Sequence, residues 1–228
     1  MSIETARRPL AGLAALAAVG SALGRWGRRS GVTDREAHSV LPGDDFVVNP
    51  MWESTRAITI GAPPEAVWPW IAQMGFPGYR GGWYTPHWLD RVQWGIRVRS
   101  ADEIRRELQT LSIGDRVPDS RDGSVYFTVE ELEPGRRLVL RSTRHLLKPM
   151  RSIEFSWAFV LEDRGLDTKL VIRARARCQP RYALRVLAPL IGIGDLVNAT
   201  SMLRGIKQRA ERTTRTVQLR VPEVDRGA

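Results

Sequence analysis

Apolar and polar positions recur along this chain in an order that predicts a strand, two short helices, a run of strands and a long final helix. Residues 55–61 form a β-branched run with Ile58 and Ile60 on one side, the pattern of a half-buried strand. Pro63 and Pro64 end it, and Pro64 has the fixed φ of a first helical position. Val67, Trp70, Ile71 and Met74 then recur at i, i+3, i+4 and i+7, one apolar stripe of an amphipathic helix that closes near Gly75. Pro69 predicts a kink or a late helix start, because an interior proline costs about 3 kcal/mol. Past the loop GFPGYRGG, the segment WYTPHWLDRV puts Tyr84, Trp88 and Val92 on one face of a second short helix. Ser100 and Glu103 have capping-box spacing, and Ile104, Leu108 and Leu111 predict a further helix that ends by Gly114.

Strands are predicted at 124–132, 137–143, 153–161 and 168–178, with a short one at 116–119. Asp122-Gly123, Pro134-Gly135 and a loop containing Gly165 separate them. Alternation puts Ile153, Phe155, Trp157, Phe159 and Leu161 on one face, and Leu170, Ile172, Ala174, Ala176 and Cys178 on another. Most of these side chains read as core. Ala174 and Ala176 are small, however, and opposite an aromatic row they leave volume unfilled. The other face of the last strand carries Lys169, Arg173, Arg175 and Arg177, which reads as a wet face paired to Glu154 or Glu162. A helix over 194–214 presents Leu196, Ala199, Leu203, Ile206 and Ala210 inward with Met202 beside them, and a polar tail follows.

The segments RAITI, APPEAVWPWI, QMG, RGGWY and HWLDRV, continued by SADEI, ELQTLSIGD, LEPGRRLVLR, SWAFVLE and MLRGIKQRAE, resemble the START-like (SRPBCC) superfamily of polyketide cyclases, dehydratases and lipid-transport proteins. The likeness covers roughly residues 31–212 and is strongest to an actinobacterial branch. It implies an α+β helix-grip fold, in which a curved antiparallel sheet wraps a long C-terminal helix and leaves a cavity between them. It implies no particular reaction. The corresponding division is a basic, apolar segment over 1–30, an acidic linker over 31–54 lying along the domain, a ligand-binding domain over 55–215 and a tail over 216–228. The helix expected after Ser100 would be an insertion covering one mouth of the cavity.

Charge changes this picture little. The net charge of +10 comes from arginines scattered over the chain, and no aromatic residues interleave with those of the last strand as nucleic-acid stacking would require. Nucleic acid is therefore not an expected partner. Residues 9–24 are apolar and uncharged between arginines. As a helix they would span about 24 Å, short of the roughly 30 Å hydrocarbon core. A signal peptide, a marginal membrane anchor, a surface-lying helix and a docked or disordered terminus all fit that stretch. The arginines that follow favour a cytoplasmic domain, membrane-associated through residues 9–24 where that stretch acts as an anchor. The single Cys178 excludes an intramolecular disulfide, and no phosphate loop, metal cluster or cofactor motif occurs.

Candidate chemistry is sparse. His38 falls in the linker and His145 in an exposed-looking loop, which leaves His87, beside Tyr84 and Asp90, as the imidazole nearest the expected opening. Tyr84 and His87 could exchange protons in a dehydration or aldol cyclisation. The expected cavity lining is Trp83, Tyr84, Trp88, Phe155, Trp157, Phe159, Ala174, Ala176 and Met202. Three functions remain open: carriage of a small apolar molecule or lipid, a cyclase or dehydratase in the same cavity, and a membrane-docked interaction module.

Overall fold

The computed structural model describes residues 28–147 and 150–220. The apolar stretch over 9–24 lies outside the described residues. A capped helical turn, α1 (Asp34–His38), precedes β1 (Trp52–Ile60), α2 (Pro64–Ala72) and α3 (His87–Trp94). Then come β2 (Arg116–Pro118), β3 (Tyr126–Glu133), β4 (Arg137–Ser142), β5 (Ser152–Asp163), β6 (Thr168–Gln179) and α4 (Arg181–Arg220). The strands form one antiparallel sheet in the order β1-β6-β5-β4-β3-β2. The sheet is curved and α4 lies against its inner face, so the fold is helix-grip α+β.

Local chemistry accounts for most boundaries. Pro64 opens α2, and Val67, Trp70, Ile71 and Met74 are all buried. Helix α2 starts on time and runs through Pro69, because its first turns are held by packing of that stripe into the core. The turns before β3, β4 and β6 use Gly123, Gly135 and Gly165 at φ 70°, 79° and 80°, a region glycine enters without strain. Helix α4 buries Ala199, Met202, Leu203, Ile206 and Ala210 against the sheet. Its large aliphatic groups contribute on the order of 1.5–3 kcal/mol each, as an upper bound. Gly205 lets the helix approach the loop before α3, since a Cβ there would overlap the carbonyl oxygen of Tyr84.

Four expectations are corrected. The helix after Ser100 shrinks to a 3-10 turn at Arg106–Leu108. Ser100 Oγ instead accepts the Tyr84 N–H at 3.1 Å, and Gln73 ties the loop down by accepting the Arg105 N–H and donating to the Glu103 carbonyl. Second, α3 begins only after Pro86, so Tyr84 precedes it in a left-handed conformation, while Trp88 and Val92 point to solvent. Leu89 and Asp90 form its buried side. Third, α4 starts thirteen residues earlier than the apolar period suggests and continues to Arg220.

The fourth concerns the arginine face of β6, which is wet only at Arg177. Residues 28–51 cover it, and Glu53 of β1 joins them from the neighbouring strand. Residues 28–30 run beside the edge strand, where the carbonyls of Arg28 and Ser30 accept from Thr55 and Ala57 at 2.8 and 2.9 Å. Gly43 lies against Val139 of the outer face. Arg173 donates to Thr55 Oγ1, to the carbonyls of Ser39 and Ala37, and to Asp44 Oδ2. Lys169 pairs with Glu36, and Arg175 with Asp44 and Glu53. The expected cross-strand partner appears only at Arg177, which meets Glu154 at 2.7 Å. The acidic excess of residues 31–54 is thus the counter-charge of this row.

Candidate ligand site between the sheet and the long helix

Register places the inward rows side by side. Phe155 faces Ala176, which faces Trp52; Trp157 faces Ala174, which faces Ser54; Phe159 faces Ile172, which faces Arg56. The two alanines therefore form a low floor between a wall of aromatics on β5 and the side chains of β1. Phe159 and Met202 are sealed into the larger apolar cluster under α4. Ala174 and Ala176 belong to a second cluster with Trp52, Ile153, Cys178, Ala183 and Leu184.

Between the two clusters lie the half-buried rings of Trp83, Phe155 and Trp157. Trp83 stacks on Trp157 with centroids 5.3 Å apart and planes at 27°, and Trp157 stacks on Phe155 at 6.3 Å and 23°. Phe127 sits behind them, 5.5 Å from Phe155. A cleft of about 520 Å³ opens at the neighbouring end of β5 and β6, lined by Met51, Leu146, Ile153 and Cys178 together with the charged Arg151, Glu154, Arg177 and Arg181.

His145 joins this patch, a placement the exposed-looking loop sequence did not suggest. Its ring lies 4.4 Å from Phe127 and 5.6 Å from Phe155, its Nε2 is 2.8 Å from Asp119 Oδ2, and its Nδ1 is 2.8 Å from Ser142 Oγ. Ser142 Oγ also donates to the Tyr126 carbonyl at 2.7 Å. With that proton committed, both ring nitrogens face oxygens that can accept a hydrogen bond.

The residues chosen from sequence divide accordingly. Trp83, Phe155, Trp157, Ala174 and Ala176 are brought to the inner face, with Phe159 and Met202 in the packed floor beyond. Trp88 is 66% exposed on α3 and does not reach it. Tyr84 and His87 line a different cleft of about 370 Å³, bounded by Ser100, Ser201, Gln208 and Arg209 on the outer flank of α4. Tyr84 is buried there, its hydroxyl donates to the Trp70 carbonyl at 2.8 Å, and burial pushes its pKa well above the usual tyrosine range. Burial likewise raises Asp90, against the hydrogen bond it accepts from Thr85.

Sequence reasoning also missed Arg56. It is 1% exposed and faces inward from β1, paired with Asp195 of α4 and donating to Ser54 Oγ at 3.1 Å. Its Nε and Nη2 have no partner among the described residues, and neither does Trp52 Nε1 on the same strand face. The signal was present, since Arg56 is in phase with Ile58 and Ile60.

A family model described as "Polyketide cyclase / dehydrase and lipid transport" matches residues 51–218. The chain belongs to that family. No curated protein matches the sequence. Among solved structures, the family member is similar to the Zhui aromatase/cyclase of Streptomyces sp. R1128 at 16% identity and TM-score 0.43, over 73% of this chain and 97% of that one. A hypothetical protein of Helicobacter pylori gives 13% and 0.48, over 76% and 96%. A norcoclaurine synthase point mutant of Thalictrum flavum, in complex with a transition-state analogue, gives 12% and 0.45, over 74% and 99%. Among the described residues of this polyketide cyclase/dehydrase and lipid-transport protein, no helix is long and apolar enough to cross a membrane.

Proposed function

We propose that the protein binds a small apolar molecule, aromatic or lipid-like, between the sheet and α4. The observation that carries this reading is the half-buried stack of Trp83, Trp157 and Phe155 beside the low floor of Ala174 and Ala176. Large rings left partly accessible at the seam of two closed clusters offer dispersion contacts that the protein itself does not use. Apolar concavities with a few polar groups are the usual small-molecule sites. The test is quenching of tryptophan fluorescence by naphthalene-type ligands and fatty acids. Ala174→Leu should weaken binding at least tenfold by filling the floor, while His87→Ala should leave it unchanged. Loss of binding in His87→Ala with retention in Ala174→Leu would move the site to the outer flank of α4.

A second reading is supported by His145. A ring hydrogen-bonded to Asp119 and 5.6 Å from that of Phe155 could move a proton at a bound ligand, the elementary step of dehydration or aldol cyclisation. Hydrogen–deuterium exchange at the α-carbon of a small aryl ketone reports that step directly. Exchange accelerated by the protein and abolished in His145→Ala supports an enzyme, whereas exchange at the solvent rate leaves a carrier.

A further inference from the structure

We infer that the cleft on the outer flank of α4 is a second binding site, which takes a phosphate group carried by a small ester or by a lipid headgroup. It is separate from the interior and does not depend on what the interior holds.

Two walls form this cleft. One is the turn from Tyr84 into the start of α3, with Arg99 and Ser100 beside it; the other is the flank of α4 from Ser201 to Arg209. The walls are held by the protein itself. Gly205 brings α4 against the Tyr84 carbonyl, where a larger residue would collide. Arg209 donates to the carbonyls of Ala101 and Gly205 and to Asp102, and its guanidinium lies 4.9 Å from the centre of the Tyr84 ring.

Charge and donors point to an anion. Arg99, Arg204 and Arg209 line the cleft against one carboxylate, Asp102, which Arg209 holds at 2.9 Å and Arg212 approaches at 3.6 Å. The nearby Asp90 is buried and accepts the Thr85 hydroxyl. Arg99 and Arg204 are exposed and have no hydrogen-bond or ion-pair partner among the described residues. Cations converging on a concave surface focus their field within it, which scattered surface arginines do not. Neutral donors add to them. Ser100 is 8% exposed, and its Oγ accepts the Tyr84 N–H, which leaves the hydroxyl proton without an acceptor among the described residues. His87 Nδ1 is buried and has no partner among those residues. Guanidinium forks match the oxygens of phosphate better than they match a spherical halide. A hollow of about 370 Å³ has room for a phosphate with a short polar tail. Trp88 and Val92, 66% and 78% exposed on α3, would meet the headgroup boundary if the phosphate belongs to a lipid.

The test is a titration with glycerol 3-phosphate at constant pH and ionic strength, followed by the ring-proton NMR signals of the three histidines. The His87 signal, assigned with His87→Gln, should shift saturably while those of His38 and His145 stay in place. Sodium chloride should not reproduce the shift. Arg99→Gln and Arg204→Gln should each raise the dissociation constant about fivefold or more, as for a lost hydrogen bond between charged groups. Arg91→Gln, on α3 but outside the lining, should leave it unchanged. Cosedimentation with phosphatidylcholine vesicles, with and without phosphatidic acid, separates the two sources. Extra binding to phosphatidic acid that both arginine variants weaken supports a lipid phosphate. Saturable binding of glycerol 3-phosphate without extra vesicle binding supports a small ester. A stationary His87 signal with equal binding to both vesicles overturns the inference. So do dissociation constants that neither arginine variant changes.

Discussion

Two arginines on adjacent strands are equally buried, at 1% exposure for Arg56 and 3% for Arg173, yet their surroundings differ sharply. Arg173, on the outer face of β6, uses all three nitrogens on Thr55, Asp44 and the carbonyls of Ser39 and Ala37. Arg56, on the inner face of β1, has partners among the described residues at one nitrogen only. A buried charge is retained when its partners are fixed in advance or when something else completes them. On the outer face the completion is the acidic segment before β1, and the result is a structural joint. On the inner face it is unfinished among the described residues, beside half-buried aromatic rings. Burial alone therefore does not separate a cation that completes a structural joint from one left open; the number of satisfied donors does.

The largest expected effect tests the outer joint. Arg173→Met should destabilise the protein by about 3 kcal/mol, since it orphans the buried carbonyl of Ala37, removes the bond to that of Ser39 and weakens the hold on Asp44. The cost stays at the lower end of the range for broken buried pairs because Arg175 remains 3.4 Å from Asp44. Urea denaturation gives the magnitude, and limited proteolysis should show new cleavage within residues 31–50. If cleavage stays unchanged while stability falls, Arg173 does not hold that segment down.

The sequence shows this joint only in halves. A basic row on β6 and an acidic stretch before β1 are both visible, but they are more than a hundred residues apart in the chain and nothing local says that they meet. By contrast the inner rows of β5 and β6 were legible, because period-two alternation is imposed by the strand itself. The aromatic patch followed from those rows. Trp88 did not, since the apolar spacing around it ignored Pro86, which delays the helix and turns Trp88 outward. His145 was illegible for another reason. Its environment comes from Asp119, Ser142 and Phe127, which only the folded sheet assembles.

A smaller effect comes from replacing each ion pair by apolar residues. Arg56→Met with Asp195→Leu should stay within about 1 kcal/mol of the wild type or exceed it, because buried pairs barely recover their desolvation and the double change removes unpaired donors as well. Arg173→Met with Asp44→Leu should still lose about 2 kcal/mol, since the carbonyls of Ser39 and Ala37 remain unpaired. Thermal unfolding of the two double variants gives the contrast directly. Equal losses would mean that Arg56 is as structural as Arg173, and the distinction between the faces would fall.

The smallest effect is in acid, where the two faces should respond with opposite sign. On the outer face, the hydrogen bond from Lys169, helped by the Thr33 N–H, lowers Glu36 from the ordinary 4.5 to about 2. A depressed carboxyl stabilises the folded state above pH 4.5, and that contribution is lost as pH falls toward 2. On the inner face, burial raises Asp195 above its ordinary 3.8, against the pull of Arg56. A raised carboxyl penalises the folded state while ionised, so protonating it on the way down toward 3.8 relieves a cost rather than adding one. Glu36 is a third exposed, so solvent screening holds its share below about 1 kcal/mol. Urea midpoints followed from pH 7 to pH 2 should therefore fall less steeply below pH 4.5 in Glu36→Gln than in the wild type. Asp195→Asn should leave that limb alone and remove any gain seen above it. A limb that flattens in Asp195→Asn but not in Glu36→Gln would reverse the assignment and make the inner pair, not the outer one, the acid-sensitive joint.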